Sequence, residues 1–150
     1  LVGRTLAPKA TPWTRAEVRA EVTEAMPAYE LIEDRRAEYK QTRAYSLIAD
    51  NAWNAGIVLG RAVALDRARE LDGLAARLET TASGVKEGRT DDPMGALAWI
   101  ANLAADRGRP LAAGQVVITG SVVATLPISA GETFSFHLEG LGNVEISATT

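Results

Sequence analysis

Phe134, Phe136 and Leu138 alternate with Ser135, His137 and Glu139. A period of two puts the apolar residues on one face of an extended strand and the polar ones on the other. Gly140-Leu141-Gly142-Asn143 turns the chain, and Val144 and Ile146 return. This end of the chain therefore reads as a hairpin with one face to be covered, and apolar material from other strands or helices must cover it.

The rest of the chain supplies both. Thr14-Arg15-Ala16-Glu17 is a capping-box pattern, Thr at the N-cap and Glu three residues on. Val18, Val22 and Met26 follow at helical spacing, which predicts a helix over Arg15–Ala25 that Pro27 ends. Ala28–Ile32 reads as a short buried strand, and Arg35–Arg43 as a polar connector or exposed turn of helix. Tyr45–Ala49 suits one helical turn stopping at Asp50-Asn51, where side chains compete for the backbone. Ala55–Gly60 reads as a strand, Leu65–Leu74 as a charged, turn-like stretch, and Ala75–Thr81 with Val85–Arg89 as the arms of a hairpin. Asp92-Pro93 starts a helix, with Asp as N-cap and Pro at the first helical position. Its expected stripe is Leu97, Ile100, Leu103 and Ala104, with Trp99 packed beside it and Gly108 closing it. Gln115–Thr119 reads as a β-branched strand. The expectation is one α+β domain over residues 1–150, a β-rich mixed sheet roll with a few helices.

Composition narrows the functions. The 150 residues are 47% hydrophobic and 23% charged, ordinary for a soluble globular protein. Net charge is −3, with Lys and Arg scattered singly, so there is no electrostatic case for nucleic acid or an anionic membrane. The absence of cysteine removes disulfides, thiolate nucleophiles and Cys-ligated zinc, and fits a cytoplasmic protein. Apolar stretches are too short to span a bilayer, and no basic segment precedes an apolar one as in a signal peptide. The chain opens Leu1-Val2-Gly3-Arg4 without an initiator methionine, which suggests a piece of a longer protein whose preceding part would complete any site.

Few residues offer chemistry. His137 is the sole histidine, which excludes a His-based triad or a multi-His metal site within the chain, and on a polar strand face it suits solvent. The Gly140-x-Gly142 pair precedes no helix and is a turn, not a phosphate cradle. Glu30 stands inside the apolar run Met26-Pro27-Ala28-Tyr29-Glu30-Leu31-Ile32. A lone buried carboxylate is costly unless a cation or hydrogen bonds offset it. Glu30 therefore either contributes to a hard dication such as Mg²⁺ or Mn²⁺, or pairs with Arg35, Arg36 or Lys40 on a half-exposed strand. Asp50-Asn51 at a helix end suits a general base, a group supporting one, or a plain cap. Thr119-Gly120-Ser121 places a flexible residue between two hydroxyls, able to present N–H and O–H groups to a carboxylate or to serve as a strand-to-loop junction.

Taken in order, several blocks resemble the fumarylacetoacetate hydrolase superfamily, in particular its 2-keto-4-pentenoate hydratase and 4-oxalocrotonate decarboxylase branch. They are Pro27–Arg35, Tyr39-Lys40, Ile48–Ala52, Ala96–Asn102, the segment Leu111-x-x-Gly114-x-Val116–Ser121, and Pro127, Gly131 and Gly140-Leu141-Gly142. The resemblance runs from about Leu6 onward.

The resemblance implies a hydratase-like catalytic domain of which this chain is the C-terminal portion, truncated at its N-terminus, in a cytoplasmic homo-oligomer of aromatic meta-cleavage catabolism. It implies hydration of a short 2-oxo-alkenoate with Mg²⁺ or Mn²⁺ as cofactor, the alternatives being 2-oxo-enedioate decarboxylation, C–C hydrolysis, or an inactive fragment or assembly module. Glu30 matches one acidic metal ligand of the family; a Glu-x-Glu pair and catalytic Lys and Asp residues would lie upstream of Leu1. Asp50 and Asn51 match a motif near the active site, Lys40 a basic position, and Thr119, Gly120 and Ser121 the turn that faces the substrate carboxylate. There are two departures. Glu33-Asp34-Arg35 stands where many members have Asp-Ser-Arg, and Trp53 stands where many have a serine.

Overall fold

The computed structural model describes residues 1–66 and 68–149. In chain order its elements are α1 (Arg15–Ala20), β1 (Glu24–Ala25), β2 (Ala28–Ile32), α2 (Ala44–Ala49), β3 (Asn54–Leu59), β4 (Val63–Ala64), β5 (Ala75–Thr80), β6 (Gly84–Arg89), α3 (Pro93–Asp106), β7 (Thr133–Leu138) and β8 (Gly142–Ser147). The α+β, β-rich architecture read from the sequence is the one observed.

The C-terminal hairpin forms one side of a four-stranded antiparallel sheet, ordered β6-β5-β7-β8, with β5 and β7 at its centre. Leu78 lies opposite Phe136 and Ala76 opposite Leu138, so the inward positions of two strands meet on one face. Phe134, Phe136, Leu138, Leu141 and Val144 are buried there with Leu71, Ala76 and Leu78. The polar partners, Arg77 opposite His137 and Glu79 opposite Ser135, stay on the wet face. A second cluster joins Val2, Leu6 and Val18 to Leu97, Ala98 and Ala101, so α3 packs on α1. Met94 touches both clusters. β2 and β3 form a separate antiparallel pair, joined to the sheet's core by Tyr29, whose ring lies 6.0 Å from that of Phe136.

The capping box forms, with the Glu17 amide donating to Thr14 Oγ1 and the Thr14 amide to Glu17 Oε2. Asp92 caps α3 through the Gly95 amide. Other expectations need correction. The first helix stops at Ala20 instead of Ala25: the β-branched Val22 and Thr23 are extended, Val22 bridging Val2, and Glu24–Ala25 is β1 paired with β4. The β2 strand is where expected but not buried; Glu30 and Ile32 are exposed. Trp99 is 66% exposed, not packed. The buried stripe of α3 runs through Leu97, Ala98 and Ala101, with Leu103 and Ala104 only half-buried, because the two alanines admit α1 closely. Gln115–Thr119 is no strand. The Val2 amide donates to the Gln115 carbonyl, but among the described residues no further backbone bond joins 116–119 to a neighbouring strand, so no ladder forms. The chain then runs against β6 at Gly88, where a side chain would strike the Val122 carbonyl. The expected turn over Leu65–Leu74 includes Arg67, which lies outside the described residues.

Candidate functional site

Between the β2–β3 pair, the inner face of the sheet, the start of α3 and the segment 116–128 lies a cleft of ≈1220 Å³. Its floor is apolar, with Leu78, Leu97, Phe134 and Phe136 among its residues. Four carboxylates stand on its wall, Glu24, Glu30, Glu33 and Asp34; among the described residues no Lys, Arg or His side chain does.

Glu30 stands on β2, all of which borders the cleft. Its Oε1 accepts from Asn54 Nδ2 at 2.8 Å. A register shift between Leu31 and Ile32 places Asn54 opposite Ile32 and brings its amide within reach. None of the suggested cations pairs with Glu30 among the described residues; Arg35 Nη1 instead donates to Asp50 Oδ1 at 2.6 Å. Asn54 was not singled out from the sequence, although an asparagine opening a strand of good β-formers is a local signal.

Thr119, Gly120 and Ser121 line the same cleft. Gly120 takes a φ of +85°, which a glycine adopts without cost. Ser121 Oγ donates to the Val123 carbonyl at 2.5 Å, keeping its lone pairs as acceptors. The fold thus brings Glu30 and the Thr119–Ser121 turn to one cavity. Asp50, Asn51 and Lys40 are not on its wall. Asp50 ends α2, and Asn51, Ala52 and Trp53 follow with φ of 48°, 50° and 63°. Lys40 is exposed in a short 3₁₀ turn, Tyr39–Gln41, beside the wall residue Tyr39.

The rim of the cleft is tied together. The Glu33 amide donates to the Trp53 carbonyl at 2.9 Å. Tyr39 and Trp53 meet edge to face, ring centres 5.2 Å apart. Tyr39 Oη donates to Asp34 Oδ2 at 2.5 Å. That bond, with a second from the Arg36 amide, holds the Asp34 carboxyl below its ordinary range. The same bond raises the Tyr39 phenol, while burial, reinforced by Glu145, pushes Tyr29 up to about 12. No group of three or more His, Cys, Asp or Glu side chains that could hold a metal is found among the described residues.

Comparison with known proteins gives a consistent assignment. The family model described as fumarylacetoacetate (FAA) hydrolase C-terminal matches residues 8–147. The chain is 31% identical over 140 residues to 2-keto-4-pentenoate hydratase from Burkholderia vietnamiensis, covering 91% of this chain and 53% of that protein. It is 30% identical to 4-oxalocrotonate decarboxylase from a Pseudomonas species, covering 99% of this chain and 57% of the relative. Among solved structures it is similar to 4-oxalocrotonate decarboxylase from Pseudomonas putida G7 complexed with magnesium and adipate. That similarity has a TM-score of 0.85 at 26% identity, over 100% of this chain and 57% of that one. The chain therefore spans about half the length of the relatives it matches.

Proposed function

The chain belongs to the fumarylacetoacetate hydrolase family, and from that premise we propose that it is the C-terminal portion of a hydratase-like catalytic domain acting on a short 2-oxo-alkenoate of the 2-hydroxypenta-2,4-dienoate type. The observation that carries the reading is the meeting of Glu30 with the Thr119–Ser121 turn across one largely apolar cleft.

The donor set fits one edge of a divalent-cation site. Glu30 offers a hard carboxylate oxygen, the type that Mg²⁺ or Mn²⁺ takes, steadied by Asn54. One carboxylate does not close a site, so further ligands come from outside the described residues. Bound there, the cation would stabilise negative charge developing on the oxygen of a 2-oxo acid. The chain's own residues do the rest. Thr119, Gly120 and Ser121 present backbone N–H groups and hydroxyls to the substrate carboxylate. Ser121 exchanges its bond to Val123 to donate. The floor around Phe134 and Phe136 holds the hydrocarbon tail and excludes bulk water. Asp50 and Asn51, three or four positions before the wall residue Asn54, and Lys40, beside Tyr39, are assigned to proton handling at the rim. We further propose, from the family resemblance, that the whole protein works as a cytoplasmic homo-oligomer in aromatic catabolism. Separately, no described helix is long and apolar enough to cross a membrane.

The structural likeness to a decarboxylase favours one second reading, decarboxylation of a 2-oxo-enedioate, by a site of the same construction. Thermal unfolding of the whole protein, with the portion proposed to precede this chain included, against Mg²⁺ and Mn²⁺, with and without 2-oxo acid, tests the common part. A cation at about a hundred times its Kd stabilises by about 2.7 kcal/mol, and Glu30→Gln should abolish that gain. A melting temperature indifferent to both metals overturns the metal-dependent reading. Product analysis on 2-hydroxypenta-2,4-dienoate and 2-oxohex-3-enedioate then separates hydration from decarboxylation.

A further inference from the structure

Two positions at which the sequence departs from its resemblance, Asp34 and Trp53, share a neighbour in the fold. Asp34 and Trp53 lie far apart along the chain, yet Tyr39 touches both, donating to Asp34 Oδ2 and packing its ring against the indole. Tyr39 and Asp34 are on the cleft wall, at the rim closed by the Glu33–Trp53 backbone bond. A carboxylate is thereby held in one place at the edge of an apolar cavity. It does not stand alone, since Glu33, the residue before it, also lines the cleft and Arg35, the cation next in sequence, is turned away to Asp50.

We propose that Asp34, braced by Tyr39 against Trp53, is a specificity-determining residue that admits 2-oxo acids bearing one carboxylate and an uncharged tail and rejects those bearing a second. The inference rests on the functional reading above and deepens it. The first carboxylate has the Thr119–Ser121 turn and a cation to receive it. A second finds no Lys, Arg or His side chain on the wall among the described residues, and it meets the carboxylates of Asp34 and Glu33. Like-charge juxtaposition acts as a repulsive filter, so selectivity comes from what the cleft excludes more than from what it grips. The brace matters because a free aspartate would swing into solvent and let the anion pass. The hydrogen bonds from Tyr39 and the Arg36 amide keep Asp34 ionised as well as fixed.

The test is calorimetric titration of the whole protein, with the portion proposed to precede this chain included, in saturating Mg²⁺ with 2-oxopentanoate and with 2-oxohexanedioate. The monocarboxylate should bind at least about tenfold more tightly, a difference of about 1.4 kcal/mol. Asp34→Asn, which keeps an acceptor for Tyr39, should bring the two to within about threefold by tightening the dicarboxylate alone. Raising ionic strength should shrink the wild-type ratio, which a steric filter would not show. Glu33→Gln provides a second removal of charge without touching the Tyr39 contact and should narrow the ratio in the same direction. A dicarboxylate bound as tightly as the monocarboxylate by the wild type overturns this proposal and leaves the functional reading standing. A ratio unchanged in both variants does the same. Binding of neither acid overturns the functional reading, and the proposal with it.

Discussion

The four-stranded sheet and the β2–β3 pair are both antiparallel and both alternate, yet they are built to opposite ends. In the sheet every inward position of β7 is buried, and neighbours on both sides complete its ladder. The β2–β3 pair stands as two strands, exposes Ile32, Ile57 and Leu59, and ends in loops under strain. Among the described residues, five of the six non-glycine residues with positive φ, Arg35, Arg36, Asn51, Ala52 and Trp53, sit in those loops. Left-handed backbone costs an L-residue roughly 1–2 kcal/mol, and two strands alone are marginal in water. Stability is concentrated in the sheet, while the candidate site is carried by the weaker pair leaning on it through Tyr29 and Phe136. Strain of this kind persists where surrounding contacts over-determine it, and it clusters at working sites.

The sharpest way to break the contrast is truncation on each side. Phe136→Ala should cost about 3–5 kcal/mol. Ile57→Ala, at 43% exposure, should cost no more than about 1 kcal/mol. Denaturant unfolding checks both, and equal losses would refute the division. Gly88→Ala should follow at about 1–3 kcal/mol, because its Cβ would strike the Val122 carbonyl and push away the segment that completes the cleft. Melting and Mg²⁺ response should fall together. Ala52→Gly should act in the other direction, raising stability by up to about 1 kcal/mol by relieving a φ of 50°; a lowered melting temperature would show that the turn stores no strain.

The smallest effect lies outside both regions and concerns pH. Glu17 is lowered from its ordinary value near 4.5 to about 2, first by its bond from Lys9 and then by those from Thr14. A carboxyl depressed in the folded state stabilises above its unfolded value and loses that contribution as pH falls toward the folded one. The melting temperature of Glu17→Gln should therefore fall less between about pH 5 and pH 2 than that of the wild type, and identical profiles would remove Glu17 from the account. Asp34, depressed by Tyr39, has the same sign, and Asp34→Asn should flatten the same acid limb.

Much of this was legible in the chain. Alternation located β7 and β8, the hairpin arms Ala75–Thr81 and Val85–Arg89 became β5 and β6, and Asp92-Pro93 marked the start of α3. Those signals are local: a cap satisfies its own helix, and a period of two needs only a covered face. Val22 and Met26 misled because helical spacing of apolar residues also occurs by chance across a β-branched stretch. Gln115–Thr119 misled because β-branched residues favour extended backbone without providing a partner. Glu30 was visible as an unusual acid, but its exposure and its bond to Asn54 depend on the register shift between β2 and β3.

By itself, then, the sequence determined the kinds of element, the buried face of the sheet, and the few residues able to do chemistry. Only the tertiary structure decided that Glu30 and Thr119–Ser121 share a cleft, that Trp99 faces solvent, and that Tyr39 joins Asp34 to Trp53. Periodicity encodes which side of an element must be covered. What covers it is settled by contacts between residues distant along the chain, and no local pattern carries their energies.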